Sequence, residues 1–137
     1  MIRARRAGIT AMAALLTALL ACAPPAAQEH AVDQLFAGER SGVMVTLDAD
    51  VVKVLPDDNR GDRHQRFIVR MPSGLTLLVA HNIDLAPRVD GIARGDPVRI
   101  HGQYEWNPKG GVIHWTHHDP DGRHPGGWIE HHGDRYE

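Results

Sequence analysis

Between Val43 and His118 the apolar residues recur mostly at every second position, in short runs separated by turn formers. That period belongs to half-buried β-strands. The clearest run is HQRFIVRM, residues 64–71, which sets Phe67, Val69 and Met71 on one face and Arg66, Ile68 and Arg70 on the other. VMVTLDADVVKVL, 43–55, is long and β-branched, with a bend expected near Asp48–Asp50. LTLLVAHNIDL, 75–85, begins as a buried strand, and PVRIHGQYEW, 97–106, and GVIHWTHH, 111–118, form a last hairpin. PDDNRGD, 56–62, and PSG, 72–74, are a loop and a tight turn. APRVDGIARGD, 86–96, reads as irregular, with one helical turn at most. Upstream, Val32, Leu35 and Phe36 share a helical face, so 31–42 predicts a short helix ended by Gly42, after a linker at 23–30. Residues 121–137 form a tail rich in Gly, Pro and His that is expected to pack on the strands.

Five strands with a longer connection between the third and fourth predict a mostly β fold, a small five-stranded OB-like Greek-key barrel over 43–120. Gly95 and Asp96 then form the turn before the fourth strand, and Gly102 is the point where that strand curls. A small open β-sandwich is the alternative. Loop parity sets the last hairpin's register. The four residues Asn107–Gly110 pair Tyr104 with Ile113 and Gln103 with His114; continued, they oppose Gly102 to Trp115 and His101 to Thr116. Tyr104 and Trp115 then enter the core. An odd register would bury histidines and expose tryptophan, the costlier arrangement.

The N-terminus departs from this pattern. Arg3, Arg5 and Arg6 precede an uncharged, mostly apolar stretch, 7–21, the layout of a secretory signal peptide over 1–21. Leu19-Leu20-Ala21-Cys22 resembles a bacterial lipobox, which implies cleavage before Cys22 and lipidation of it, the single cysteine of the chain. Ala23 in place of Asp points to the periplasmic side of the outer membrane; a soluble periplasmic protein cleaved near Ala27 is the alternative. Residues 22–42 then hold the lipidated cysteine, the linker and the short helix. Removing three arginines leaves 15 − 3 = 12 basic against 17 acidic residues, a formal charge of −5. A general nucleic-acid binder should be basic, so that class is disfavoured.

Two sets of residues carry candidate chemistry. HWTHHDPDGRH, 114–124, with His101 from the neighbouring strand, offers imidazoles and a carboxylate: His101, His114, His117, His118, Asp119 and His124 are candidate ligands for Zn, Cu or Ni. The spacing matches no standard metal motif, and surface histidines at a strand end are the reading it favours. The second set is His64, Arg66, His81, Asn82, Asp84 and Arg88, from DRHQRF and AHNIDLAPR. It would grip a phosphate or carboxylate through its arginines, with His81 able to exchange protons near neutrality. The same residues also suit a structural role, Asn82 or Asp84 capping a turn and Arg88 pairing with Asp84.

The blocks LPDDNRGDRHQRFIVRMPSGLTLLVAHNIDLAPRV, GDPVRIHGQYEWNPKGGVIHWTHHDP and GRHPGGWIEHHG resemble a bacterial domain-of-unknown-function family of small exported OB-like proteins. That resemblance implies no catalytic residues. RHQRF with the Gly-Asp turn is more loosely similar to thermonuclease-type OB barrels, in architecture alone. The resulting expectation is a cell-envelope lipoprotein whose barrel binds a small molecule or an envelope protein. The membrane is its partner through the lipid. No Ser or Cys sits in a recognisable nucleophile motif. The alternative is a metal-dependent hydrolase, phosphodiesterase- or nuclease-like, built on the histidine cluster. Ten histidines, His30 and nine others, also leave room for pH sensing.

Overall fold

The computed structural model describes residues 25–137. The expected signal segment 1–21 and the expected lipidation site Cys22 lie outside them. The chain forms α1 (Pro25–Ala37), β1 (Val43–Asp58), β2 (His64–Arg70), β3 (Thr76–Asn82), β4 (Pro97–Glu105), β5 (Val112–His114), β6 (Trp128–His131) and β7 (Asp134–Tyr136). One sheet runs β1-β2-β3-β5-β4-β6-β7, and β1 also pairs with β4. The first five strands therefore close into a ring, with β5 parallel to β3 and antiparallel to β4. This is the OB-like barrel.

β1 closes the ring by using both of its edges in succession. Val43–Asp50 pairs with β4, and Asp50–Asp58 pairs with β2. The change of partner falls at Asp50, and a register shift between Val51 and Lys53 adds the local twist that a bulge supplies. Side-chain alternation fills the interior. Val45, Leu47, Ala49 and Val51 point inward from β1, Phe67 and Val69 from β2, Leu77 and Val79 from β3, and Val98, Ile100 and Tyr104 from β4. Val32 and Leu35 of α1 join the same core. The helix starts at Pro25, inside the stretch read above as a linker; proline suits a first helical position because its missing N–H has no intrahelical partner there.

The β4–β5 register is Gln103 opposite His114 and Tyr104 opposite Ile113. It stops there. Trp115 takes a left-handed backbone conformation, φ 54°, and ends the strand. Trp115 is consequently half-buried on the outside, stacked on His124 at 3.9 Å, and is not a core residue. The space at Gly102 is taken instead by the His114 carbonyl, which would stand 2.6 Å from an added Cβ, and by the side chains of Ile113 and Thr116.

The tail does more than cover the barrel. Because β5 ends early, the first half of β4 has a free edge on that side, and β6 occupies it, pairing Val98–His101 with His131–Trp128. Ile129 is fully buried in the core. β7 adds an outer strand through a two-residue turn at His132–Gly133.

Candidate functional site

The long connection between β3 and β4 is held by buried polar side chains. Gln65, at the inner end of β2, donates from Nε2 to the Val89 carbonyl (3.0 Å) and accepts from the Val89 N–H (2.9 Å). Its amide thus treats the loop as a neighbouring strand. His81 is completely buried at the end of β3. Its Nε2–H donates to the Pro87 carbonyl (2.9 Å), and Nδ1 faces the Thr116 hydroxyl (2.8 Å). Burial pushes this imidazole below the usual histidine range; the Pro87 bond opposes that, and charge on His117 and His64 adds to it. A neutral ring with its proton on Nε2 accepts the Thr116 O–H at Nδ1, so both nitrogens are satisfied. The Asn82 side chain accepts from the N–H groups of Asp84 (2.9 Å) and Leu85 (3.2 Å) and starts the turn that follows β3.

The second predicted set therefore does not share one cleft. His81 and Asn82 build the loop. Asp84 is paired with Arg63, accepting from its backbone N–H (2.7 Å) and its Nε (2.8 Å), which lowers the carboxyl's pKa. Arg88 pairs with Asp57, and not with Asp84. Arg66 donates to the Pro56 carbonyl and lines a separate polar hollow with Asp57, Asp58, Asn59 and Arg60.

The predicted metal set separates as well. His101 is bonded to the Thr46 hydroxyl (2.8 Å) and stacks on Trp128; its pKa is lowered by burial, against the pull of a Val45 backbone bond. His114 donates to Glu105 (3.3 Å). His117 donates from Nδ1 to the His118 carbonyl (2.8 Å), and His118 is exposed. Asp119 accepts from the N–H groups of His124 and Arg123 (2.8 Å each) and Asp121 (3.1 Å). Those bonds, His124's first, hold its carboxyl below the usual range and commit it to the turn. His124 stacks on Trp115 and bonds to Gln103. Among the described residues, no three of these six have donor atoms within 4.8 Å of one another.

The two sets do meet at one place. A cleft of about 220 Å³ lies on the wall made by β2, β3 and the end of β5. Asp62 and His64 form one side, Ala80, Asn82 and Leu85 its floor and rim, and His114, Trp115 and His117 the other side. His64 is turned by a bond from Nδ1 to the Asp62 carbonyl (2.8 Å), and Asn82 donates weakly to the Asp62 carboxylate (3.4 Å). The left-handed kink at Trp115 is what brings its indole and His117 to this rim: a strand continued past His114 would have carried them along the barrel. The cleft thus combines three imidazoles, one carboxylate, one amide and one indole. It can donate and accept hydrogen bonds and stack on a flat or apolar group. No Ser, Thr, Cys, Lys or Tyr is among its lining residues.

No curated protein matches the chain. A family model does, over residues 14–137, and its description is "Protein of unknown function (DUF3465)". That span takes in the whole barrel, the loop pinned by Gln65 and His81, the cleft and the added β6–β7 hairpin, and the chain belongs to this family.

Proposed function

We propose that the protein is an envelope lipoprotein whose barrel binds a small polar ligand, or a side chain of an envelope protein, in the cleft between His64 and Trp115. The observation that carries this reading is the cleft itself. It lies on the face of strands two and three that OB barrels commonly use for binding, and it is bounded by the loop after β1. Its mixture of donors, acceptors and one aromatic plane is that of a recognition site. The lipobox-like Leu19–Cys22 and the preceding signal segment support attachment to the membrane. The net negative charge of the processed chain speaks against a general nucleic-acid partner.

The test is a fragment library screened by ¹H–¹⁵N NMR on labelled protein. Binders are expected to shift the signals of Ala80, His114, Trp115 and His117 together, and Trp115→Ala should weaken them at least tenfold. Binders that map to another face, or that ignore the Trp115 substitution, would remove this site. Incorporation of labelled palmitate, lost in Cys22→Ser, tests the anchor separately.

A further inference from the structure

The β6–β7 turn places two adjacent histidines against the loop before β4. A two-residue hairpin turn of type I′ needs positive φ at both positions, and His132 (φ 50°) and Gly133 (φ 88°) supply it. Asn or Asp is the usual companion of Gly in such a turn. Histidine at this position has a geometric result. Along a straight strand, adjacent side chains point to opposite faces. At the left-handed turn the His132 ring instead folds back to lie parallel with His131, centroids 3.9 Å apart and planes at 23°.

Both rings face the same carboxylate. His131 is 3% exposed, and its Nε2 stands 2.8 Å from Asp96 Oδ2. His132 Nε2 stands 3.8 Å from Asp96 Oδ1. The donor atoms of all three residues lie within 4.8 Å of one another, the one such trio of His, Cys, Asp or Glu among the described residues. Asp96 is fixed from the other side. Its N–H donates to the Ala93 carbonyl (3.1 Å), its carboxylate accepts the Ala93 N–H (2.9 Å), and its carbonyl accepts the Val51 N–H (2.9 Å). Two of the three groups are thus held by packing and backbone bonds, while His132 is exposed and can adjust.

We propose that Asp96, His131 and His132 form a binding site for a divalent transition metal of the zinc and copper class, independent of the cleft described above. Tetrahedral zinc with nitrogen and oxygen donors near 2.0–2.2 Å has those donors about 3.3 Å apart. The distances of 2.8 and 3.8 Å bracket that value. Entry of the metal replaces the His131–Asp96 hydrogen bond by two coordinate bonds; the Nε2 proton passes to Nδ1 of a neutral ring, or to water from a doubly protonated one, so the bound imidazole is neutral. Two imidazoles and one carboxylate suit zinc, copper or nickel; calcium demands six to eight oxygens and magnesium an octahedron of them. With three protein donors and an exposed third ligand, a coordination position is left for water or an external group.

The experiment is calorimetric titration of the full, untagged chain, stripped with chelator, using zinc sulfate and then copper sulfate alone. One site per chain is expected, with copper tighter than zinc and no heat from calcium chloride. His132→Ala removes an exposed ligand without touching the core, so its fold should be intact by circular dichroism and its affinity at least tenfold weaker. His118→Ala, an exposed histidine elsewhere, should leave the affinity within twofold of the parent. Zinc should also raise the Tm of the parent and not of His132→Ala. Absence of a one-to-one site, or affinity that falls with His118→Ala but survives His132→Ala, overturns the proposal.

Discussion

Ile129→Ala tests whether the C-terminal hairpin is a working part of the barrel or a flap resting on it. Ile129 is fully buried and sits opposite Ile100 in the β4–β6 pairing. The substitution removes three carbons, about 2.4 kcal/mol of transfer free energy at ~0.8 kcal/mol each. The cavity left between β4 and β6 adds to this, since the flanking strands are fixed by their hydrogen bonds, and the total comes to about 3–4 kcal/mol. For a domain of this size that is roughly 10–15 °C in Tm, and a large part of a typical total stability of about 5–15 kcal/mol. Urea denaturation followed by tryptophan fluorescence and far-UV circular dichroism measures it. The midpoint should fall with little change in slope, because the native and unfolded surfaces are almost unchanged. Val54→Ala is the companion measurement. Val54 is 45% exposed on β1, so its truncation should cost no more than about 0.5 kcal/mol. Equal losses for the two variants would refute the placement of β6 in the core.

The buried neutral His81 makes stability depend on pH. Unfolded, a histidine takes up its proton near pH 6.5, whereas in the fold burial holds His81 neutral to lower pH. Between those two pKa values the unfolded state binds the extra proton, so stability is full above about pH 6.5 and is lost as pH falls toward the folded value. His101, also lowered by burial, acts in the same direction. Denaturation midpoints measured from pH 7.5 to 5 should decline, and His81→Gln, less stable at pH 7.5, should decline less steeply; parallel curves would refute the assignment. Gly102→Ala places a Cβ within 2.6 Å of the His114 carbonyl and 2.8 Å of the Ile113 side chain. Those are rigid neighbours at the barrel seam, so a loss of about 1–3 kcal/mol is expected in thermal unfolding; an unchanged Tm would mean that β4 and β5 are not in contact there.

Alternation and loop parity carried a large share of this fold. Phe67, Val69 and Met71 alternate so cleanly that the inner face of β2 is legible directly, and the four-residue loop at 107–110 gives the pairing of Tyr104 with Ile113. Parity fails one residue beyond β5, because it assumes that a strand continues. The left-handed φ at Trp115, a conformation that a bulky side chain rarely adopts, leaves no mark in a pattern of apolar positions. The final hairpin was missed for a different reason. Its strands have four and three residues, and its turn is His-Gly where Asn-Gly or Asp-Gly would signal a hairpin. Asp96 and His131 are 35 residues apart, so their meeting follows only once β6 is known to pair with β4. Charged pairs behave similarly. Asp84 and Arg88 stand four apart, as on a helix, but the loop between them is not helical, and each takes a partner from across the fold.

The edge of β4 taken by β6 has a consequence for the order of events during synthesis. A chain made from its N-terminus reaches Glu105 and His114 with the ring of five strands already specified, yet the half of β4 at Val98–His101 still lacks a neighbour on that side. That neighbour, Trp128–His131, is made only after β5 and the connection that follows it. Until then the nascent barrel exposes the apolar seat of Ile129 and a row of unpaired backbone groups, the kind of edge to which holding factors and stray strands bind. The final hairpin therefore acts as a clasp on a timer: the barrel can reach its full stability only once Trp128–His131 has been made, and a chain cut short of it remains recognisable as incomplete.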